Sequence, residues 1–313
     1  MSRGFDSFDL DDFRYALPDS RRERPPREYP EEREPNRGAG GASNPKEVRE
    51  LPKTSPVGDL RELTRTVHRD RERTYSLRNS EIHTLIEAGK FRVVGDDDLA
   101  KFAYAHDRAR MDTDIRNLVR QGLAEQRNTS PFKNESRQVL TLTRRGQRFI
   151  RHHDFVPEDQ AIYSGFVKPK EANHDADLYR LYQKVADDIE RKGGRVLRVS
   201  LDYELKQKLY KKLSEAQAHN DARLDLKKQI LARELQLPVV QGKVILPDMR
   251  IEYETQEGER ARVDVELATD HYHGNHLVEK ARAGFQIYAR AQEAAGLRRI
   301  RDEREITTAI LSF

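Results

Sequence analysis

Apolar positions follow no period up to about Asp70, where Arg, Glu, Pro, Gly and Ser dominate, as in RRERPPREYPEEREPNRGAGGASNPKE. Such a stretch cannot bury enough apolar area to offset the entropy of ordering it, so 1–75 is expected to be a disordered tail. Within it, FDSFDLDDFRYAL spaces Phe5, Phe8, Leu10, Phe13, Tyr15 and Leu17 among acids, a pattern that suits a short motif docking on a protein partner. A helical period begins near Ser76, with Ile82, Leu85 and Ile86 ahead of Ala88-Gly89. Asp96, Asp97 and Asp98 start a second helix that carries Leu99 and Phe102, because carboxylates satisfy free first-turn amides. A third helix is expected from Asp112 or Thr113, burying Ile115, Leu118 and Val119, with Leu123 beyond Gly122. LAEQRNTSPFKNESRQVLTLT reads strand, polar turn, strand, and TRRGQRFIRHH closes with a helix holding Phe149 and Ile150.

The stretch 154–172, with Pro157, Gly165 and Pro169, reads as a linker. Beyond it, Leu178, Leu181, Tyr182, Val185 and Ile189 mark one face of a helix stopped by Gly193-Gly194. RVLRVSL alternates as a half-buried strand, and about 203–236 forms a charged helical hairpin broken near His219-Asn220-Asp221. Two further strands, 244–253 and 262–267, flank the turn at Glu257-Gly258; a helix over 275–296 and a terminal strand or short helix follow. In the second strand Val263, Val265 and Leu267 share one face, which places Arg262, Asp264 and Glu266 on the other. If the two strands pair, Asp248 lies beside them. Converging carboxylates are what a hard divalent cation such as Mg2+ selects, so Asp248, Asp264 and Glu266 are the metal candidates.

Composition narrows the chemistry. The chain has no cysteine, which excludes disulfides, thiolate zinc sites and cysteine nucleophiles. Charged residues make up 36% of it, yet the net charge is only +4, so any polyanion surface must come from local clustering. The N-terminus lacks an export signal and no run is long enough to span a bilayer, which gives a cytoplasmic expectation without membrane contact. Phosphate-binding glycine loops, GxSxG and HExxH are absent from the sequence. His271, His273 and His276 with Asp270 form a further, transition-metal candidate in one polar loop.

Three helices, a two-stranded wing with a polar tip and a closing helix describe a winged helix-turn-helix over 76–153. Arg120-Gln121-Gly122-Leu123 followed by Leu140-Thr141-Leu142-Thr143-Arg144-Arg145-Gly146 is similar to the pattern of such domains around the wing. The resemblance implies double-stranded DNA as partner, with the third helix in the major groove. Its candidate contacts here are Arg110, Arg116 and Arg120, then Lys133 and Arg137 on the wing, then Arg144, Arg145 and Arg148. Homodimerisation is an expectation from the general habit of winged helices.

The element order over 173–313, with the insertion at about 203–236, resembles the PD-(D/E)xK restriction-endonuclease-like fold. Together with the winged helix it also resembles the replication-relaxation family of plasmids and integrative elements, carried by His174-Asp175, Pro247-Asp248, Glu266, Asp270, Lys280 and Tyr288. The fold class so implied is α+β: tail, winged helix, then an α/β nuclease-like domain. In active nucleases of that fold the two acids hold Mg2+ and a lysine positions or activates water, which makes Asp248, Glu266 and Lys280 the catalytic candidates. The fold's usual lysine is missing, because Leu267 and Ala268 follow Glu266; Lys280 on the next helix is the residue able to replace it. The missing lysine favours a non-cleaving, DNA-binding protein serving replication, mobilisation or transcription control of a mobile element. A Mg2+-dependent endonuclease and an adaptor working through its tail are the alternatives.

Overall fold

The computed structural model describes residues 58–129, 137–166, 168–217, 224–269, 274–303 and 308–313. The expected tail over 1–75 reaches too far, since an antiparallel hairpin, β1 (Thr66–Asp70) and β2 (Arg73–Leu77), lies inside it. The aromatic and acidic motif at 5–17 lies outside the described residues.

Helix α1 (Asn79–Lys90) starts where the Glu81 carboxylate accepts the Arg78 backbone N–H at 2.7 Å. It buries Ile82, Leu85 and Ile86, the face its spacing predicts. After β3 (Val94–Gly95), α2 (Asp96–Phe102) opens on the three aspartates. Helix α3 (Arg108–Arg120) begins one turn before the expected position, because Asp107 caps it by accepting the Arg110 N–H at 3.0 Å. Val119, expected in the core, is 41% exposed. Gly122, at φ 70°, turns the chain out of α3 into β4 (Ala124–Asn128). Strand β5 (Gln138–Leu142) pairs with β4 and β3 in a sheet of order β3-β5-β4. Thr143 then caps α4 (Arg144–His152) by accepting the Gly146 N–H at 3.0 Å. Gly146 is required here, since a Cβ would lie 2.0 Å from the Leu123 carbonyl oxygen.

The stretch expected to link the halves is packed between them. Gln160 is buried, and its side chain bonds both the N–H and the C=O of Val199, each at 3.0 Å. Those bonds occupy backbone groups of β6 (Arg195–Leu201), an edge strand. Helix α5 (Pro169–Arg191) starts inside the same stretch and joins the two parts of the molecule. Phe91 meets Tyr179 and Tyr182 of α5 at ring distances of 5.3 and 4.8 Å. One apolar core therefore runs from Leu77, Leu118 and Phe149 through Tyr179 and Leu181 to Val199, Ile251 and Val265.

The charged hairpin consists of α6 (Asp202–Gln217) and α7 (Leu224–Glu234); its break lies outside the described residues. The short pair β7 (Val239–Val240) and β8 (Lys243–Val244) follows. The strand expected over 244–253 is interrupted around Pro247, and β9 runs Met249–Glu254. It pairs antiparallel with β6 and with β10 (Arg260–Ala268). The single helix expected over 275–296 is instead α8 (Gly274–Arg282), β11 (Gln286–Ala289) and α9 (Ala291–Glu303). Phe285, Ile287, Tyr288 and Ala289 are all buried, and such a run in a covered parallel strand resembles a helix by apolar content alone. With β12 (Ile310–Ser312) the sheet order is β12-β11-β10-β9-β6, β10 to β12 parallel and linked over α8 and α9. Among the described residues no helix is long and apolar enough to cross a membrane.

Candidate functional site

The arginines expected on DNA divide into occupied and open groups. Arg110 donates from one guanidinium nitrogen to the carbonyls of Leu60 and Glu62 and, at 3.2 Å, to Ser80 Oγ, so it ties the segment before β1 to α1. Arg137 pairs with buried Asp177 at 2.7 Å and lies 3.7 Å from Asp98. Those partners engage both guanidinium groups within the protein. Arg116 and Arg120 are exposed on α3 and, among the described residues, their side chains bond only within that helix, Arg116 to the Asp112 carbonyl at 3.0 Å and Arg120 to Asn117 Oδ1 at 2.8 Å. Arg145 reaches the Gln121 carbonyl at 3.4 Å, whereas exposed Arg144 and Arg148 make no hydrogen bond or ion pair among the described residues. Lys133 lies outside the described residues.

At the C-terminal ends of β6 and β10 the acids of the second part come together. Asp248, set by Pro247 just before β9, accepts the Leu267 N–H at 2.9 Å on Oδ2 and gives its own N–H to Glu266 Oε2 at 3.3 Å. Its carbonyl also accepts the Asp202 N–H at 2.9 Å, which fixes it to the start of α6. These bonds hold the Asp248 and Glu266 carboxylates side by side. Lys280, carried over the sheet by α8, places Nζ 2.7 Å from Glu266 Oε1 and 2.8 Å from the Leu246 carbonyl. His174 Nε2 approaches Asp248 Oδ1 at 3.8 Å from α5.

Asp264 does not join this group. It faces Arg250 directly across the β9–β10 ladder and is gripped by it at 2.6 and 2.9 Å, while the same guanidinium donates to the Leu235 and Gln236 carbonyls. Asp264 and Arg250 thus fasten the end of α7 to the sheet. Of the histidine loop, 270–273 lie outside the described residues.

Behind His174, Arg92 reaches from the loop before β3 to Asp175 at 3.4 Å and Glu171 at 3.5 Å. Burial pushes the Asp175 carboxyl up to about 6 despite the opposing pull of Arg92 and His174. Sequence reasoning singled out Asp175 but missed Arg92, which sits between the buried Phe91 and Val93 at a left-handed φ of 65°.

Among the described residues no three His, Cys, Asp or Glu side chains are grouped to hold a metal ion. Mg2+ takes one or two protein carboxylates and completes its shell with water and phosphate oxygens, so Asp248 and Glu266 fit it in hardness and number. A cavity of about 470 Å³ opens elsewhere, between the sheet and the end of α7; Arg250, Arg260 and Arg262 line it, and Asp248, Glu266 and Lys280 do not.

Fold and site together define a mixed α+β protein with a carboxylate–lysine centre on its larger sheet. No family model, curated protein or solved structure matches the chain.

Proposed function

We propose that the chain binds duplex DNA through a winged helix over 76–153 and carries a Mg2+-dependent endonuclease centre in a PD-(D/E)xK-like domain, in the manner of the replication-relaxation family. The observation that carries this reading is the placement of Lys280 Nζ 2.7 Å from Glu266, which itself lies against Asp248. A lysine brought in by α8 supplies the group missing after Glu266. Asp248 and Glu266 would hold the metal, which when bound polarises a phosphate and acidifies water. Lys280 holds Glu266 by charge and offers an ammonium beside it. On the DNA side, three helices with the β3-β5-β4 sheet support the winged-helix reading, and Arg116, Arg120, Arg144 and Arg148 give it exposed cations.

A second reading, a DNA-binding platform that does not cleave, is favoured by the burial of Glu266, 0% exposed and already bonded to Lys280. Calorimetric titration of Mg2+ separates the two: the first reading expects one site that Asp248→Asn abolishes, and absence of magnesium binding with DNA present favours the platform. Mobility shifts test the DNA surface. Arg116→Ala/Arg120→Ala should weaken duplex binding about tenfold or more at physiological salt; unchanged affinity would remove α3 from the interface.

A further inference from the structure

The β1–β2 hairpin is firmly docked and yet ends in an exposed, cationic tip. Its inner side is buried through Tyr75 and Leu77, with Tyr75 against Phe149 at 5.3 Å and His68 against Phe149, His153 and Phe155 at 5.5 to 5.8 Å. Two polar ties fix it, one to the end of α4 and one to the end of α3. Near the tip, Asp70 pairs with His152 Nδ1 at 2.8 Å. At the other end Gln121 bonds both the N–H and the C=O of Ser76, at 3.1 and 3.2 Å.

The same Gln121 offers its backbone carbonyl to Arg145, so β2, the end of α3 and the start of α4 meet at one residue. Arg145, Arg148 and His152 follow each other at three and four residues and form one row of α4 beside the hairpin. Arg69, Arg71 and Arg73 surround the tip, Arg69 and Arg73 on opposite faces of the ribbon and Arg71 in the turn; all three are exposed, and their side chains make no hydrogen bond or ion pair among the described residues. The acids of the hairpin are Asp70, buried and engaged by His152, and Glu72. Long, exposed cations on a rigid two-stranded ribbon match the repeating charge of a nucleic-acid backbone.

We infer that this hairpin is a second DNA-contacting element, in which Arg69, Arg71 and Arg73 and the Arg145–Arg148 row of α4 engage duplex phosphates alongside α3. The inference rests on the reading that 76–153 binds duplex DNA and adds a segment N-terminal to it. Phosphate contacts of this kind strengthen binding to every sequence alike and make it steeply salt-dependent.

The test is fluorescence anisotropy of a labelled duplex against the full chain over a range of salt. Arg69→Gln/Arg71→Gln/Arg73→Gln should weaken binding about 10- to 100-fold at physiological salt. It should also flatten the log–log salt slope by about 2 to 3, at roughly 0.9 for each phosphate no longer neutralised. The matching triple Lys variant should bind nearly as the natural chain does, which a fold defect would not permit. A natural chain that binds duplex with its slope unchanged by the Gln variant overturns the inference; loss of binding in Arg116→Ala/Arg120→Ala then leaves the α3 reading standing. A natural chain that binds no duplex, or binds polyglutamate as tightly, overturns both.

Discussion

Lys280 and Glu266 form an ion pair with its carboxylate fully buried. Glu266 is 0% exposed, and the Lys280 ammonium is its cation at 2.7 Å. Taking one partner from a buried pair is far more costly than the pair is worth, because the other charge stays desolvated. Lys280→Met should therefore lower stability by about 3 kcal/mol in urea denaturation, and a change within experimental error would show that the pair is weakly coupled. Asp175 gives the opposite kind of residue effect. Burial holds its carboxyl at about 6 in the folded chain, above the roughly 3.9 of an unfolded aspartate. The proton is thus bound more tightly in the folded state. Its contribution is fully present below about pH 3.9 and is lost as pH rises through 6. Stability should increase by about 2 kcal/mol from this group between pH 7.5 and 4.5. Asp96, also pushed up to about 6 by burial, adds in the same direction. Asp175→Asn should be more stable than the natural chain at pH 7.5 and show a smaller gain on acidification; an equal gain in both would contradict the assignment.

At the scale of elements, the joint between the halves is a charge network as well as an apolar one. Asp177 on α5, with a side chain 1% exposed, takes Arg137 from just before β5 and Arg290 from just after β11, while Asp98 takes Arg180 at 2.7 Å. Asp177→Ala should cost about 3 kcal/mol, and a double-mutant cycle with Arg137→Ala should show coupling; strict additivity would mean that the bridge contributes nothing. This network gives Arg137 partners that local spacing does not show. An arginine beside a strand and a polar turn looks like a phosphate contact until its partner on α5, 40 positions away, is placed against it. Helices α1, α4 and α5 were legible because their apolar residues recur at the helical period. Strand β11 was not, since a strand covered on both faces lacks alternation, and β1–β2 was not, since only Tyr75 and Leu77 of its residues carry an apolar core signal. Asp248 and Glu266 were visible as acids on paired strands, and the ladder explains their proximity. The diversion of Asp264 to Arg250 and the arrival of Lys280 depend on cross-strand register and on the path of α8, neither of which is written in local spacing.

For the whole molecule, the continuous core and the bridges through α5 make the 76–153 elements and the carboxylate centre parts of one body. Scanning calorimetry should give a single transition with equal calorimetric and van't Hoff enthalpies. Two resolved transitions would mean that the halves unfold independently and that α5 does not couple them. Such coupling would let duplex held by α3, α4 and the hairpin stay in fixed relation to Asp248 and Glu266. The most direct measurement is incubation of supercoiled plasmid with the purified full chain in Mg2+ or EDTA, beside Asp248→Asn and Lys280→Met variants shown to be folded. The account predicts nicked or linear product with the natural chain in Mg2+ alone, and intact plasmid in EDTA and with both variants. Intact plasmid with the natural chain in Mg2+, under conditions where it demonstrably binds the DNA, would contradict the centre.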